Sequence, residues 1–464
     1  MTATNESRSE GATAESEQLI RNQITDEGVE LMRRRIGYTN PTVRSGTRQL
    51  PWWTVTSPDA IRHHTHGYGD DNPLYCDPEY GITTRWGAQI APPGFGAGGG
   101  PRAGRDHIPP EYGDEDDVPL GTEQDAWLRR LGKRPPEAFD RETRRALRGV
   151  QLFASGGDSY HFRPFYVGDY TAGGAGGIIN VEDKQSEFAG RSVIVTNRHV
   201  SWNQRGEITG MGDGWLIHAE RRKATGDNKY AADEAAFYTD DQLAEIDEAY
   251  ENEYRRGADT LFWEDVEEGY ELPTMVKGPL AVTDMINQHM GGGWFGYGNP
   301  ALKLGYENRK RMRGFYTKNR FNAWDVVQRV HWEQELAQEV GVPLMYDISP
   351  MRSAWVTHYC TNFMGDDAWL YHTHNELRRF NFFGDTTWYT GKVTRKHDAE
   401  VGPAIDIEIT GTNQRGKPNT HASATILLAS RERGPVVLPE PPTDIRNRVT
   451  ALIDEQTRRQ RAAD

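Results

Sequence analysis

The chain has 464 residues and a formal net charge of −14, with a pI near 5.5. This length allows two or three domains, and the acidic balance argues against a nucleic-acid-binding protein, which would present a basic face. The two cysteines, Cys76 and Cys360, cannot support a disulfide framework, and no apolar run reaches membrane-spanning length. Because the first residues also lack a signal-peptide pattern, the sequence predicts a soluble, cytoplasmic protein.

The chain is predicted to begin with a disordered, polar segment, followed by a helix over 20–36. Three closely spaced histidines then follow at His63, His64 and His66. Their spacing fits no standard metal site, and no Cys or further His pair supports one. We therefore expect no metal here, but a helix that leads into the next turn.

That turn lies in the stretch from Tyr68 to Gly81, which carries the most informative pattern in the chain. It begins with small and polar residues that favour a tight turn, namely Gly69, Asp70, Asp71, Asn72 and Pro73. Asp77-Pro78-Glu79 then predicts a helix start, with a capping Asp, a Pro in the first turn and acids at the positive end. Such a loop delivers acids and an amide to a helix N-terminus, where proton transfer can take place.

The stretch resembles the hydratase signature of the MaoC-like acyl dehydratases, in which Gly-Asp-x-Asn-Pro-Leu is followed by a His and then by an acid and Pro. Tyr75 stands where that family carries its catalytic His. The downstream segment Ile90 to Gly94 is similar to the variant called the FAS1-like dehydratase domain. The residues that match the signature are Gly69, Asp70, Asn72, Pro73, Leu74, Asp77 and Pro78.

Residues 95–149 have the composition of an irregular, acidic insertion, with short helices predicted over 123–131 and 135–147. Strand patterns follow over 160–169, 177–183, 191–200 and 215–219. A charged, helical linker is predicted next. Beyond it, strand patterns return over 387–394, 404–410 and 422–429, and a helical tail follows over 445–461.

Two features recur in the same order in the two parts of the chain. Arg379 to Asp385 echoes Arg163 to Asp169, and Asn413 to Gly416 repeats the letters of Asn203 to Gly206. Strand-like runs accompany both copies. The recurrence predicts a duplicated domain.

The second half also has a counterpart of the opening stretch. Aligning His331 with Tyr75 places Glu333 on the helix-capping Asp of the first half. The second half thus has the histidine that the first half lacks. It lacks the Asp and Asn of the turn, whose places Val326 and Gln328 take.

The resemblance implies a backbone N–H that binds the thioester oxygen of the substrate, at a fixed offset from the histidine. That offset leads to Pro93 in the first half and to Ser349 in the second. Because proline has no N–H, Ser349 is the predicted donor. A basic run suits the phosphates of coenzyme A, and its residues are Arg309, Lys310, Arg311 and Arg313.

The fold class that the resemblance implies is α+β, with two hot-dog folds in one chain. Each is expected to wrap an antiparallel sheet around a long central helix, with the helices beginning near Asp77 and near Glu333. The expected segments are a disordered start and helix (1–50), a first hot-dog domain (51–224), a linker (225–270), a second hot-dog domain (271–432) and a Pro-rich end with a helix (433–464).

The activity that the resemblance implies is reversible hydration of a 2-enoyl thioester, carried by coenzyme A or by an acyl carrier, without a cofactor. The predicted catalytic residues are His331, Asp70, Glu333, Asn72 and Tyr75. The site is either composite, with Asp70 and His331 from different halves, or confined to the second half. A non-catalytic acyl-binding or partner subunit and a hot-dog thioesterase stay open as alternatives. The chain is expected to form a homo-oligomer or to pair with another hot-dog protein.

Overall fold

In the computed structural model, the described residues are 23–42, 52–100, 122–186, 190–220, 234–292, 301–399 and 401–463. The predicted disordered start and parts of the predicted insertion and linker, at 101–121 and 221–233, lie outside these ranges.

Short helices dominate the beginning of the described chain. They are α1 (Asp26–Arg34), α2 (Pro58–His66), α3 (Pro73–Cys76), α4 (Pro78–Thr83), α5 (Glu123–Arg130) and α6 (Glu137–Thr143). The predicted cap at Asp77 is present, since its side chain accepts a hydrogen bond from the Glu79 N–H at 2.9 Å. The helix that it begins ends after six residues, however. The prediction that a long central helix begins near Asp77 is therefore wrong.

Four long strands follow: β1 (Gln151–His161), β2 (Thr171–Ser186), β3 (Gly190–Asn203) and β4 (Ile208–Ala219). The strand predicted over 160–169 is wrong except at Tyr160 and His161, which are the last residues of β1. Pro164 lacks an N–H for a ladder, and Gly168 adopts a positive φ of 94° in a turn that Asp169 closes.

The second part of the chain begins with α7 (Asp240–Glu251), β5 (Glu271–Lys277), α8 (Val282–Gly291) and α9 (Leu302–Arg311). A small hairpin, β6 (Tyr316–Lys318) and β7 (Trp324–Val326), precedes a 3₁₀ turn (Val327–His331) and α10 (Gln334–Glu339). The remaining elements are α11 (Ser349–Met364), β8 (Trp369–Leu377), β9 (Thr387–Ala399), β10 (Gly402–Asn413), β11 (Pro418–Leu427) and α12 (Thr443–Ala463).

Nine of the strands form one antiparallel sheet in the order β2-β3-β4-β1-β8-β11-β10-β9-β5. The order on one side of the β1–β8 pair mirrors the order on the other, with β5 added at the far edge. β1 and β8 pair directly, with Asp158 opposite His374. Apart from β5, the sheet therefore consists of two equivalent four-stranded halves, joined at its centre.

Helix α11 is the core element of the second half. Twelve of its sixteen residues are buried, and Trp355, Tyr359 and Phe363 pack with apolar residues of the surrounding strands, such as Ile405 and Ile407. A helix buried all round belongs in the interior of a domain. The sheet thus wraps around α11.

The central helix of the second half therefore begins at Ser349, and the prediction that it begins near Glu333 is wrong. The helix that follows Glu333, α10, has six residues. It stops because Gly341 has a positive φ of 88° and Pro343 follows two residues later. In the described part of the first half, no helix is longer than nine residues.

The two repeated Asn-Gln-Arg-Gly turns are built in the same way. Gln204 Nε2 donates to Asp169 Oδ1 at 2.7 Å, and Gln414 Nε2 donates to Asp385 Oδ1 at 2.8 Å. The Arg after each Gln donates to the same carboxylate. Each turn joins the equivalent pair of strands in its half, β3 to β4 or β10 to β11, so the repeated letters mark a repeated structure.

Within the described ranges, no helix combines the length and apolar character needed to cross a membrane.

Candidate active site

The Asp70 turn is held by its own side chains. Gly69 adopts a positive φ of 80°, which favours glycine. The Asn72 N–H donates to Asp70 Oδ1 at 2.9 Å, and Asn72 Oδ1 in turn accepts from the Leu74 N–H at 3.0 Å to cap α3. Both side chains are buried. Asn72 therefore serves as a helix cap in this structure.

The turn meets the central helix of the other half. His358, on α11, places its Nε2 atom 3.5 Å from Asp70 Oδ1 and 3.2 Å from Glu253 Oε1. The other oxygen of Glu253 lies 3.6 Å from Lys277 Nζ. Asp70, His358 and Lys277 are almost completely buried, and Glu253 is mostly so. Four titratable groups thus form a row, Asp70–His358–Glu253–Lys277, across the boundary between the halves.

Burial and neighbouring charges set the electrostatics of this row. Burial acts to raise the pKa of Glu253, but the close contact with the His358 ring and the charge of Lys277 outweigh it and lower the pKa to about 2. Burial lowers the pKa of Lys277, and Glu253 acts against that effect. Glu253 is therefore ionised at neutral pH, next to the His358 ring.

Two tyrosines flank Asp70. The Tyr68 hydroxyl donates to Asp70 Oδ2 at 3.3 Å, and Tyr75 is buried beside the same turn. Burial and the Asp70 charge raise the pKa of each phenol well above its ordinary value. Both therefore stay protonated at neutral pH.

A cavity of about 470 Å³ lies between the halves. Tyr68, which donates to Asp70, lines it, whereas Asp70 and His358 themselves do not. Its lining from the first half includes His64, Tyr68, Pro93 and Gly94, and its lining from the second half includes Ser349, Ser353, Thr357 and Asn375. Glycines of β1 and β4 form another part of the lining, namely Gly156, Gly157, Gly212 and Gly214. Pro93 and Ser349, which the sequence alignment placed at equivalent positions, thus line one shared cavity.

Ser349 is the first residue of α11. The first N–H groups of a helix have no partner within the helix, and they lie at the positive end of its dipole. The Asn375 side chain, close by, donates to Ser353 Oγ at 3.2 Å and leaves its buried Oδ1 without a partner among the described residues. This wall of the cavity can bind a polar, partly negative oxygen.

The structure places the other predicted histidine elsewhere. The half-buried ring of His331 packs against Tyr346, and its Nδ1 atom lies 3.0 Å from the carbonyl oxygen of that residue. Burial lowers the pKa of His331 to about 4. Among the contacts of the described residues, none joins His331 to Asp70. The predicted Asp70–His331 pair is thus not formed, because Asp70 lies against α11.

Glu333 is engaged in an ion pair with Arg329 one turn back, and it precedes the first residue of α10. The basic run lies on α9 and the turn after it, where Arg309 lies 5.1 Å from the Trp324 ring and Arg311 donates to Asn308 Oδ1 at 2.9 Å. None of the four basic residues lines the cavity described above. Neither Glu333 nor the run contacts Asp70 or His358.

The sequence alone did not single out His358. Motif matching follows the chain, whereas His358 reaches the Asp70 turn only through the packing of the two halves. A signal was nevertheless present: His358 is a titratable residue in an apolar run, Trp355 to Cys360, and a buried group of this kind needs a polar partner.

Among the described residues, no group of three or more His, Cys, Asp and Glu side chains is arranged to hold a metal ion.

The mirrored strand order and the wrapped α11 decide the architecture. The chain has a double hot-dog fold. Among solved structures it is similar to a MaoC-like dehydratase, with 14% identity, coverage of 84% of this chain and 100% of the other, and a TM-score of 0.49.

Two more solved structures are similar to this double hot-dog chain. A MaoC domain protein dehydratase from Chloroflexus aurantiacus J-10-fl has 11% identity, coverage of 82% of this chain and 93% of the other, and a TM-score of 0.43. A conserved hypothetical protein from Mycobacterium tuberculosis, described as a double hotdog fold, has 11% identity, coverage of 85% and 99%, and a TM-score of 0.40. No protein-family model matches the sequence, and no curated protein matches it.

Proposed function

We propose that this double hot-dog protein is a hydro-lyase that adds water reversibly to the C2=C3 bond of a 2-enoyl thioester. The observation that carries the proposal is the contact between Asp70 of the first half and His358 of the second. Tyr68, which donates to Asp70, connects this contact to a cavity that the start of α11 also lines. The site is composite under this proposal. Our domain limits of 51–224 and 271–432 place its two acid–base residues in different domains.

Hydration of a conjugated thioester needs a base for water and a hydrogen-bond donor for the enolate oxygen that develops. We assign the first task to the Asp70–His358 pair, which the Tyr68 hydroxyl connects to the cavity. The second task falls to the N–H of Ser349 at the positive end of α11. One such donor contributes roughly a hundredfold to a thousandfold in rate.

We propose a coenzyme A thioester as the substrate, because the basic run on α9 gives an acidic protein a local surface that suits phosphate groups. An acyl-carrier thioester would be bound through the same acyl cavity. The sequence-based expectation of a homo-oligomer or a partner hot-dog protein is kept as part of the proposal.

The test is turnover of a panel of 2-enoyl-CoAs, followed by the loss of the conjugated absorbance. Asp70→Asn and His358→Gln should each lower kcat by at least about a hundredfold, the usual scale for an acid–base group. His331→Gln is the control, since it makes the same change at a histidine of the second half that does not contact Asp70. If His331→Gln abolishes activity and His358→Gln does not, the composite Asp70–His358 site is wrong.

One observation favours a second function, that of a non-catalytic acyl-binding subunit. Tyr75 replaces the histidine of the signature, and Pro93 removes one of the two N–H donors. Titration calorimetry with a non-hydrolysable acyl-CoA, read together with the turnover assay, separates the two proposals. A binding subunit gives heat of binding with the analogue and no turnover of any 2-enoyl-CoA. Release of free coenzyme A thiol from the 2-enoyl-CoAs of the turnover assay would indicate the thioesterase alternative instead.

A further inference from the structure

We infer that His64 is the group that takes the proton from C2 in dehydration and returns it in hydration. This inference rests on the proposed function and adds a second catalytic residue to it. The Asp70–His358 pair would then act on the oxygen at C3 only.

The position of His64 on α2 brings its ring to the cavity. Ser57 caps this helix and Pro58 occupies its first turn, which fixes where the helix begins. His64 lines the cavity between the halves, whereas His63 and His66 on the same helix are exposed to solvent. Of the three clustered histidines, only His64 lines that cavity.

A backbone contact fixes which ring nitrogen carries hydrogen. His64 Nδ1 lies 3.1 Å from the carbonyl oxygen of Gly291 at the end of α8. A carbonyl oxygen only accepts hydrogen bonds, so Nδ1 is the donor and Nε2 of the neutral ring keeps its lone pair. The ring is thereby oriented as a base.

Tight packing holds this contact in place. Helices α2 and α8 approach through glycines, and a Cβ atom added to Gly291 would lie 2.9 Å from the Gly67 Cα. The His64 ring also meets the rings of Tyr68 and Phe95 edge-on, at 5.5 Å and 5.1 Å between centroids. Burial lowers the pKa of His64 to about 4, although the charge of Asp70 acts against this effect. The ring is therefore neutral at neutral pH.

Tyr68 separates the two histidines of the site. Its ring lies 5.5 Å from His64 and 5.9 Å from His358. A substrate in the cavity can therefore meet His64 directly and the Asp70–His358 pair through the Tyr68 hydroxyl. This arrangement suits two neighbouring carbons that exchange protons with different groups.

In the dehydration direction, His64 Nε2 takes the C2 proton, and the C–H electron pair moves towards the thioester carbonyl. The enolate then forms the C2=C3 bond as the C3–O bond breaks. The hydroxyl leaves as water, with a proton supplied by the Asp70–His358 pair through Tyr68. One proton is gained by His64 and one is lost by the pair, and exchange with solvent restores both. Hydration runs through the same steps in reverse.

The test compares His64→Asn with His63→Asn and His66→Asn on the same helix. An Asn side chain keeps an N–H near the position of Nδ1 for the Gly291 carbonyl but removes Nε2. His64→Asn should lower kcat for dehydration at least about a hundredfold, and the two exposed controls should stay within about twofold of the unaltered protein. Circular dichroism checks that each variant folds. If His64→Asn does not fold, His64→Gln takes its place in the same test.

The deciding measurement is the isotope effect of a 3-hydroxyacyl-CoA that carries deuterium at C2. In His64→Asn, removal of the C2 proton becomes the slow step, so the isotope effect should rise above that of the unaltered protein. In Asp70→Asn, the slow step is departure of the hydroxyl, so the isotope effect should not rise.

Three results would overturn the inference. Near-normal activity of His64→Asn, with activity lost in Asp70→Asn and His358→Gln, refutes the role of His64 and leaves the proposed function in place. An isotope effect that does not rise in His64→Asn shows that this residue acts away from C2. Failure of the unaltered protein to convert any substrate of the panel refutes both proposals.

Discussion

Lys277 and Glu253 form a buried ion pair next to His358, and no sequence motif predicts this pair. Their atoms lie 3.6 Å apart, and the Lys277 side chain is 6% exposed. Removal of one partner from a buried ion pair typically destabilises a protein by about 3–5 kcal/mol, because the other charge stays buried. We therefore expect Lys277→Met to lower the free energy of unfolding by about 3 kcal/mol or more.

Urea unfolding of Lys277→Met measures this loss. Lys392→Met is the control, since Lys392 lies exposed on β9, and its free energy of unfolding should change by less than about 0.5 kcal/mol. If the free energy of unfolding of Lys277→Met also changes by so little, the buried ion pair of Lys277 with Glu253 does not stabilise the fold.

The lowered pKa of Glu253 predicts a loss of stability in acid. Because the folded-state pKa, about 2, lies below the unfolded value of about 4.3, the stabilisation is complete above the unfolded value. It is then lost as the pH falls towards 2. Unfolding free energies measured between about pH 5 and pH 2.5 should fall less steeply in Glu253→Gln than in the unaltered protein. Parallel curves for the two proteins would show that Glu253 is not the group responsible.

At the scale of single residues, the sequence predicted what depends on neighbours in the chain. The capping at Asp77 is fixed by local hydrogen bonds, and it is confirmed. The partners of Asp70 could not be predicted in the same way, because His358 and Glu253 approach it only after the halves pack. His64 was recognised as part of a histidine cluster, but its orientation depends on the Gly291 carbonyl of another helix.

At the scale of elements, β2–β4 and β9–β11 followed in part from strand patterns, and the repeated turns followed from their letters. Strands β5 and β8 and most of β1 were not predicted. Helix α11 escaped prediction because it is buried all round and therefore shows no apolar stripe. The acids after His331 correctly marked a helix start, but such signals carry no information on length. Gly341 and Pro343, which stop α10, were better evidence for the length of this helix.

The basic end of α9 supports a prediction on substrate binding. If Arg309, Lys310, Arg311 and Arg313 contact coenzyme A phosphates, changing the four to Gln should raise KM and leave kcat nearly unchanged. The difference should shrink at high salt, which screens exposed charges. Changing the exposed Arg458 and Arg461 of α12 to Gln is the control for a general loss of positive charge. An unaltered KM in the fourfold variant would remove α9 from the binding site.

At the scale of the whole molecule, one continuous sheet and one shared cavity make the two halves interdependent. Asp70, Tyr68 and His64 come from the first half, and His358 and the start of α11 come from the second. Neither half alone contains the candidate site. The duplication could be predicted from the sequence because it left repeated letters, whereas the cavity exists only through the approach of the halves at β1 and β8.

A cluster on the β1–β8 pair joins the halves through a group that titrates. Asp158 of β1 places Oδ1 2.9 Å from His372 Nε2 and 3.1 Å from His374 Nδ1, both on β8. Glu376 lies 3.4 Å from the other nitrogen of His374, and the Trp215 ring packs against it. The hydrogen bond with Asp158 raises the pKa of His374 above its ordinary value. The stabilisation is thus complete below the unfolded pKa of about 6.5, and it is lost as the pH rises through the folded value.

Asp158→Asn should therefore destabilise the protein more at about pH 6 than at about pH 9. The expected loss at the lower pH is about 1.5–3 kcal/mol, the scale of a hydrogen bond to a charged group. Urea unfolding at the two pH values measures the difference. Asp398→Asn, which removes an exposed carboxylate paired with Arg433, is the control and should show little dependence on pH in this range. An equal loss for Asp158→Asn at both pH values would mean that the charge of His374 does not contribute to joining the halves.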